Sequence, residues 1–292
     1  MVSLYFGNML LRPETQGYVL DTDIGHPLQG APGVVSLWLR GEMVEGRYLG
    51  YHSPKSCISE YLTAVGQVLQ AYRERSKGEG LLVRCHSWTS GIGRVLLSDI
   101  MRLVQPAKVT EYHTSEPVYS TLSKLASTFL PTQYPFPTKV ALSQVVIEPR
   151  KISDYKQLRS ATLAGCIGPT TDLPAQAPWV GQLERLRIFV NNTQVESQVL
   201  LEQIGRVCGL STASKRCLGL GLLRDINPET GLVWVCTALE GLEQVEVLEL
   251  VTGEGALELD WEPLDSLAAP FFLQGALNTQ TRQKFHPNRS YA

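Results

Sequence analysis

The chain has 292 residues, a formal net charge of −2 and a pI near 6.2, with 43% hydrophobic and 18% charged residues. That composition excludes a disordered tail and fits one large or two modest folded domains with a substantial core. The near-neutral balance also excludes the strongly basic character of many compact nucleic-acid binders, so a polyanion site must be local or completed by a partner.

The Met1–Leu11 stretch carries Leu4, Tyr5, Phe6, Met9, Leu10 and Leu11 at helical spacing, and Pro13 and Gly17 end the predicted helix. It lacks a basic leader region and a small-residue cleavage site, so a signal peptide is not expected and the chain reads as intracellular. Tyr18-Val19-Leu20 is a buried strand that ends in Asp21-Thr22-Asp23. Open α/β sheets bind ligands at such carboxyl ends. Pro27, Gly30, Pro32 and Gly33 mark a loop, and Val34 to Leu39 is a second strand. Ser59 to Arg75 is predicted helical through Tyr61, Val65, Val68, Leu69 and Tyr72.

Gly80 to Cys85 reads as a buried strand, Ser87 to Gly93 as a loop, Val95 to Val104 as a helix closed by Pro106, and Lys108 to Tyr112 as a strand. This alternation predicts an α/β fold with a parallel sheet and right-handed crossovers. The character changes in the Pro-rich segment 131–137, which places a domain boundary near residue 135. Residues 136–280 are expected to be mostly β, with runs at Leu186–Val190, Leu232–Cys236 and Val245–Val251. Asn227-Pro228-Glu229-Thr230-Gly231 supplies turn chemistry between two apolar runs. Residues 281–292 form a polar, basic tail with Arg282, Lys284, His286 and Arg289, expected to be mobile.

No stretch approaches the roughly 18 apolar residues of a membrane-spanning helix. The six cysteines, Cys57, Cys85, Cys166, Cys208, Cys217 and Cys236, form no C-x-x-C pair. Buried free thiols in a reducing compartment are the better reading.

Three sets of residues are candidates for chemistry. Asp21 and Asp23 alternate along one strand and so share a side, where two carboxylates could hold hydrated magnesium and orient a nucleophile. A solvated strand-to-loop transition is the commoner reading of such a tripeptide. Ser90, Gly91 and Gly93 precede a helix, whose first N–H groups can bind phosphate, and Trp88 could stack on a base. An ordinary strand-to-helix turn with a packed Trp is the plainer alternative. His26, His86 and His113 each lie just past a predicted strand or in the loop after it and could meet at one rim, although three unrelated surface histidines are the safer reading. No G-x-x-x-x-G-K-[ST] occurs, and Ser53-Pro54-Lys55-Ser56 lacks the glycines of a phosphate loop.

In order along the chain, four stretches resemble one family: the polynucleotide 5'-hydroxyl kinases of pre-ribosomal RNA processing, with relatives in messenger-RNA 3'-end cleavage and tRNA splicing. Leu20 to Pro27 followed by Pro32 to Leu37 resembles its Walker B segment. Tyr48 to Tyr61, with Gly50, Ser53 and Ser56, resembles the stretch before its next helix. Ser87 to Gly93, then Leu96 to Val104 and Pro106, resembles its Gly-Trp loop and following helix. Arg216 to Arg224 resembles a C-terminal patch of the ribosomal branch.

The resemblance implies a P-loop-type sheet with helices over 1–135 and a mostly β domain after it. It implies transfer of the γ-phosphoryl group of magnesium-bound ATP to the 5'-hydroxyl of RNA or DNA, largely by positioning and charge neutralisation. Asp23 then stands as general base or ligand of magnesium-bound water, Asp21 assists it, and Trp88 lies in the loop that holds nucleic acid. A nucleolar location and an endonuclease partner that cuts the pre-ribosomal spacer follow from the same resemblance. His26 replaces a usual Gln, Ser87 replaces the Gly before the Trp, and Ser90 replaces a Lys of several members.

Tyr5 to Leu11 fits the helix that follows the family's phosphate loop, so the missing Lys-Ser/Thr is expected just upstream of Met1. The chain is then either a piece whose start lies upstream or a shortened protein without kinase activity. The closeness of the cut to the motif favours the first. Two functions compete: a kinase that is active when complete, and a non-catalytic scaffold for an endonuclease or pre-ribosomal RNA. An unrelated α/β hydrolase lacks support, because no G-x-S-x-G is present.

Overall fold

The computed structural model describes residues 17–88, 90–113, 141–146, 162–163, 165–167, 178–190, 193–195, 201–245 and 248–253. The expected N-terminal helix, the boundary near residue 135 and the basic tail lie outside them. The chain divides into two compact units, one of residues 1–47 and 52–155, the other of residues 48–51 and 156–292.

The first unit is built on a four-stranded sheet of order β3-β2-β1-β4. β1 is Gly17–Asp21, β2 Val34–Leu39, β3 Glu42–Tyr48 and β4 Gly80–Arg84. β1 runs parallel to β4 and antiparallel to β2. The expected parallel pairing thus holds for β1 and β4, while β2 and β3 add an antiparallel edge. β3 is not read from sequence, because Glu42-Met43-Val44-Glu45-Gly46-Arg47-Tyr48 lacks regular apolar alternation. The turn between β2 and β3 takes positive φ at both Arg40 (51°) and Gly41 (86°), the backbone of a two-residue hairpin loop.

Helix α1, Ile58–Arg75, lies between β3 and β4 in the chain. It buries Tyr61, Ala64, Val65, Val68 and Leu69, a stripe at helical spacing that packs on β1 and β2. Each large apolar side chain so buried contributes roughly 1.5–3 kcal/mol. At the helix end Tyr72 meets Tyr18 of β1 edge to face, with ring centroids 5.2 Å apart. Arg73 and Arg75 in the last turn complement the helix dipole.

Helix α2, Gly91–Val104, begins four residues earlier than its apolar periodicity suggests. Its Leu97 and Met101 pack with Cys85 and Val109. It ends at Gln105, which adopts a left-handed conformation before Pro106. β5 (Lys108–His113) and β6 (Ala141–Val146) then pair in parallel as a two-stranded sheet.

The second unit is a seven-stranded sheet of order β7-β12-β11-β10-β13-β8-β9. Its strands are β7 Trp179–Gln182, β8 Leu186–Val190, β9 Thr193–Gln194, β10 Val207–Thr212, β11 Cys217–Asn227, β12 Leu232–Cys236 and β13 Leu248–Thr252. Among its described strands only β13 and β8 pair in parallel. Leu210, Leu223, Val233, Val235, Leu248 and Leu250 belong to its core. Asn227 caps the β11–β12 turn, its Oδ1 accepting from the N–H groups of Glu229 (2.9 Å) and Thr230 (3.1 Å).

Residues 48–51 belong to this unit through two close approaches. A Cβ on Gly209 would lie 2.2 Å from the Tyr48 ring, and one on Gly50 would lie 2.6 Å from the Gly253 Cα. All six cysteines are free thiols, and Cys57, Cys208, Cys217 and Cys236 are buried. The structure is therefore α/β, with a parallel-containing sheet and helices first and a large β part after it.

Candidate functional site

β1 and β4 are each five residues long, begin with glycine and run in register, so that Asp21 faces Arg84 across the pair. The ladder continues one residue past β1. Thr22 donates to the Arg84 carbonyl from its backbone N–H at 2.9 Å and from its hydroxyl at 2.8 Å. The Tyr61 hydroxyl of α1 donates to the Thr22 carbonyl at 2.9 Å. The strand end that carries both aspartates is thereby fixed from the neighbouring strand and from the helix.

The commoner reading of Asp21-Thr22-Asp23 as solvated does not hold. Asp21 is 1% exposed, Asp23 7% and Arg84 7%. One Arg84 guanidinium N–H group, Nη1, donates to Oδ1 and Oδ2 of Asp21, both at 3.0 Å, while Nη2 donates to Oδ2 of Asp23 at 3.1 Å. Backbone N–H groups take the other positions. Asp23 and Leu28 donate to Asp21, and Gly25 and His26 donate to Asp23.

The loop after β1 can wrap this way because Gly25 has no side chain: a Cβ there would lie 2.6 Å from the His52 carbonyl oxygen. Further on, Gly30 (φ 76°) lies against the Trp38 ring, and the Gly33 N–H donates to the Ile24 carbonyl at 2.8 Å.

Burial pushes the Asp21 carboxyl up to about 6, outweighing Arg84 and the two backbone N–H groups, which act in the other direction. The usual effect of an ion pair on an acid is therefore reversed here by desolvation. His86 follows β4 and is 5% exposed, which corrects its expected place among surface histidines. Burial drives its imidazole down to about 4, against the pull of Asp23, so the ring is neutral near pH 7. Among the described residues neither of its ring nitrogens has a hydrogen-bond partner.

His86 sits between two aromatic rings, with centroids 6.0 Å from Tyr61 and 6.4 Å from Trp88. Trp88 is half-buried and rests on the first turn of α2, where a Cβ on Gly93 would lie 2.3 Å from the indole. Ser90 is the residue before α2 and makes no side-chain capping bond. Ser90 and Gly91 are exposed, Gly91 takes φ 53°, and Ile92 beside them is 54% exposed. The Gly93 N–H donates to the Ser90 carbonyl at 3.1 Å, so the open part of the first turn, next to the half-exposed indole, is Gly91 and Ile92. An uncapped turn of this kind can receive an anion.

A divalent cation does not fit the aspartate pair in this arrangement. Magnesium needs close oxygen ligands in octahedral array, whereas all four carboxylate oxygens already accept N–H groups and a guanidinium occupies the space between them. Among the described residues no group of three or more His, Cys, Asp or Glu could hold a metal. Ser53 to Ser56 forms a short 3-10 turn before α1, with the Ser53 hydroxyl accepting from the Lys55 N–H, and not a phosphate cradle.

Asp21 ends β1 and Asp23 lies in the loop after it, so the two come together at the Arg84 guanidinium and not by alternation along one strand. Trp88, Ser90, Gly91 and Gly93 gather at one helix start. His26 contributes its backbone N–H to Asp23 at 3.2 Å, and the side chain of His113 lies outside the described residues. Sequence reasoning missed Arg84. The available signal was the charged residue that ends an apolar strand at the same distance from its opening glycine as Asp21 is from its own.

The comparisons with known proteins agree with this frame. Over 144 residues, 39% of the chain, it is 27% identical to the polynucleotide 5'-hydroxyl-kinase GRC3 of Cryptococcus neoformans var. neoformans serotype D, strain B-3501A. It covers only 19% of that protein, about a fifth of its length. It is 23% identical over 279 residues to the polynucleotide 5'-hydroxyl-kinase NOL9 of Arabidopsis thaliana, covering 78% of this chain and 75% of the relative. Two solved structures of Clp1p with Pcf11p share the fold at 13% identity. One, describing an extended interface between the two proteins, has a TM-score of 0.62 and covers 86% of this chain and 72% of Clp1p. The other, a wild-type complex, has a TM-score of 0.61 and covers 85% and 70%. The family model described as mRNA cleavage and polyadenylation factor CLP1 P-loop matches residues 2–162, more than half of the chain, and the chain belongs to that family.

Proposed function

We propose that this protein acts in RNA processing on polynucleotide 5'-hydroxyl ends. The observation that carries the reading is the open first turn of α2, at Gly91 and Ile92, with Trp88 against it at the carboxyl end of the β1–β4 pair. Backbone N–H groups there would take a phosphate of the strand, and the indole would stack on a base. In the full reading the chain serves phosphoryl transfer from ATP to the 5'-hydroxyl, the reaction for which GRC3 and NOL9 are named. Its setting is then pre-ribosomal RNA in the nucleolus, beside an endonuclease whose cut leaves a 5'-hydroxyl. Asp23, with Asp21 beside it, is the carboxylate proposed to face the nucleophile.

A second reading is favoured by one specific observation, the hold of Arg84 on both aspartates. Here the chain binds the RNA end or the endonuclease and transfers nothing. One experiment separates the two. Labelled ATP and a 5'-hydroxyl RNA are incubated with the wild type, D23N and W88A, and RNA binding is followed by fluorescence anisotropy. Binding that W88A weakens by about fivefold or more supports the shared site, as expected for one lost base stack. Transfer lost in D23N selects the kinase. Binding without transfer is expected of the scaffold and equally of a kinase piece without its phosphate loop, which the same assay on a chain extended upstream separates, and wild type that binds no RNA at all removes the Trp88 site from both readings.

A further inference from the structure

The aspartate pair is fully hydrogen-bonded among the described residues. Its seven hydrogen bonds leave no carboxylate oxygen unengaged. Four come from backbone N–H groups of Asp23, Gly25, His26 and Leu28, which reach three of the four oxygens and leave Asp23 Oδ2 to Arg84 alone. The other three come from the cationic guanidinium of Arg84. Its guanidinium lies where a bridging cation would neutralise the pair, and it is buried with the carboxylates it joins.

We infer that Arg84 is the resident counter-cation of Asp21 and Asp23, and that it keeps this pair closed to divalent metal. The inference goes beyond the proposed function and holds for a transferring or a non-transferring chain. Removing the guanidinium leaves two buried carboxylates side by side without a positive charge. Such a pair must protonate or recruit a cation. Replacing Arg84 by a neutral residue should therefore create the metal site that the wild type lacks.

The test reads metal binding in the full chain and needs no activity. Manganese is titrated into labelled wild type, and paramagnetic broadening of the backbone amides of Asp23, Gly25, His26 and Leu28 is followed by NMR. These signals are expected to stay sharp at millimolar manganese. In R84Q they should broaden, with manganese affinity raised about tenfold or more over wild type, and the D23N/R84Q double variant should lose that gain. R84K, which restores a cation, should resemble wild type. Selective broadening of these amides in the wild type overturns the inference, and so does folded R84Q that gains no affinity. If R84Q does not fold, the wild-type measurement decides alone.

Discussion

At the scale of single residues, Arg84 carries the largest energetic consequence. R84A strands two buried carboxylates, and breaking a buried pair by removing one partner costs about 3–5 kcal/mol. Urea unfolding should show a loss of that size, and a smaller one when Arg84 is truncated in a D21N/D23N background. Two neighbouring groups give opposite pH dependence. Asp21 is raised to about 6, so the folded state binds its proton more tightly than the unfolded chain does. Its contribution is fully present below the unfolded value near 3.8 and is lost as pH rises through 6. His86 is lowered to about 4 from 6.5, so its contribution is present above 6.5 and is lost as pH falls through 4. The two should offset each other between pH 4 and 6. Melting curves of H86F should show stability rising as pH falls from 6 to 4, and those of D21N should show it falling.

At the scale of elements, the way α2 begins decides the shape of the site. G93A would drive a methyl group into the Trp88 indole, so Trp88 must move. The expected outcome is a shifted tryptophan emission, a stability loss of about 1–3 kcal/mol and weaker RNA binding. The hairpin between β2 and β3 offers the opposite sign. Arg40 sits at φ 51°, a conformation that asparagine adopts more readily. R40N should raise the urea midpoint, with a gain below about 1 kcal/mol.

Much of this level was legible in sequence. β1, α1 and β4 follow from short apolar runs and a helical stripe, and Leu232–Cys236 and Leu186–Val190 appear as strands where their β-branched runs lie. The start of α2 was not legible, because Gly91 and Gly93 carry loop chemistry in sequence and admit a packed indole in structure. β3 was hidden by its charges, and β13 was placed early because the apolar run from Val245 begins before the strand does. The Arg84 contacts join partners 61 to 63 residues apart, so the matching lengths of two Gly-opened, charge-ended strands are the one local hint of them.

At the scale of the whole molecule, a P-loop-type α/β unit precedes a β unit, and the chain does not pass between them once. It leaves the first unit at Tyr48, contributes four residues to the second, and returns at His52. Within the second unit Tyr48 lies on Gly209 and Gly50 on Gly253, where G50A should be costly because it adds a methyl group at φ 75° within 2.6 Å of backbone. Thermal unfolding followed by the β signal should show that loss. The interlacing also governs how the protein can be divided. A fragment ending at residue 155 carries the buried side chains of Tyr48, Leu49 and Tyr51 but lacks Gly209 and Gly253, on which Tyr48 and Gly50 lie. Alone it should aggregate through these side chains. Co-expressed with 156–292 it should dissolve and copurify, so that the molecule behaves as a pair of complementing fragments joined by a four-residue stitch.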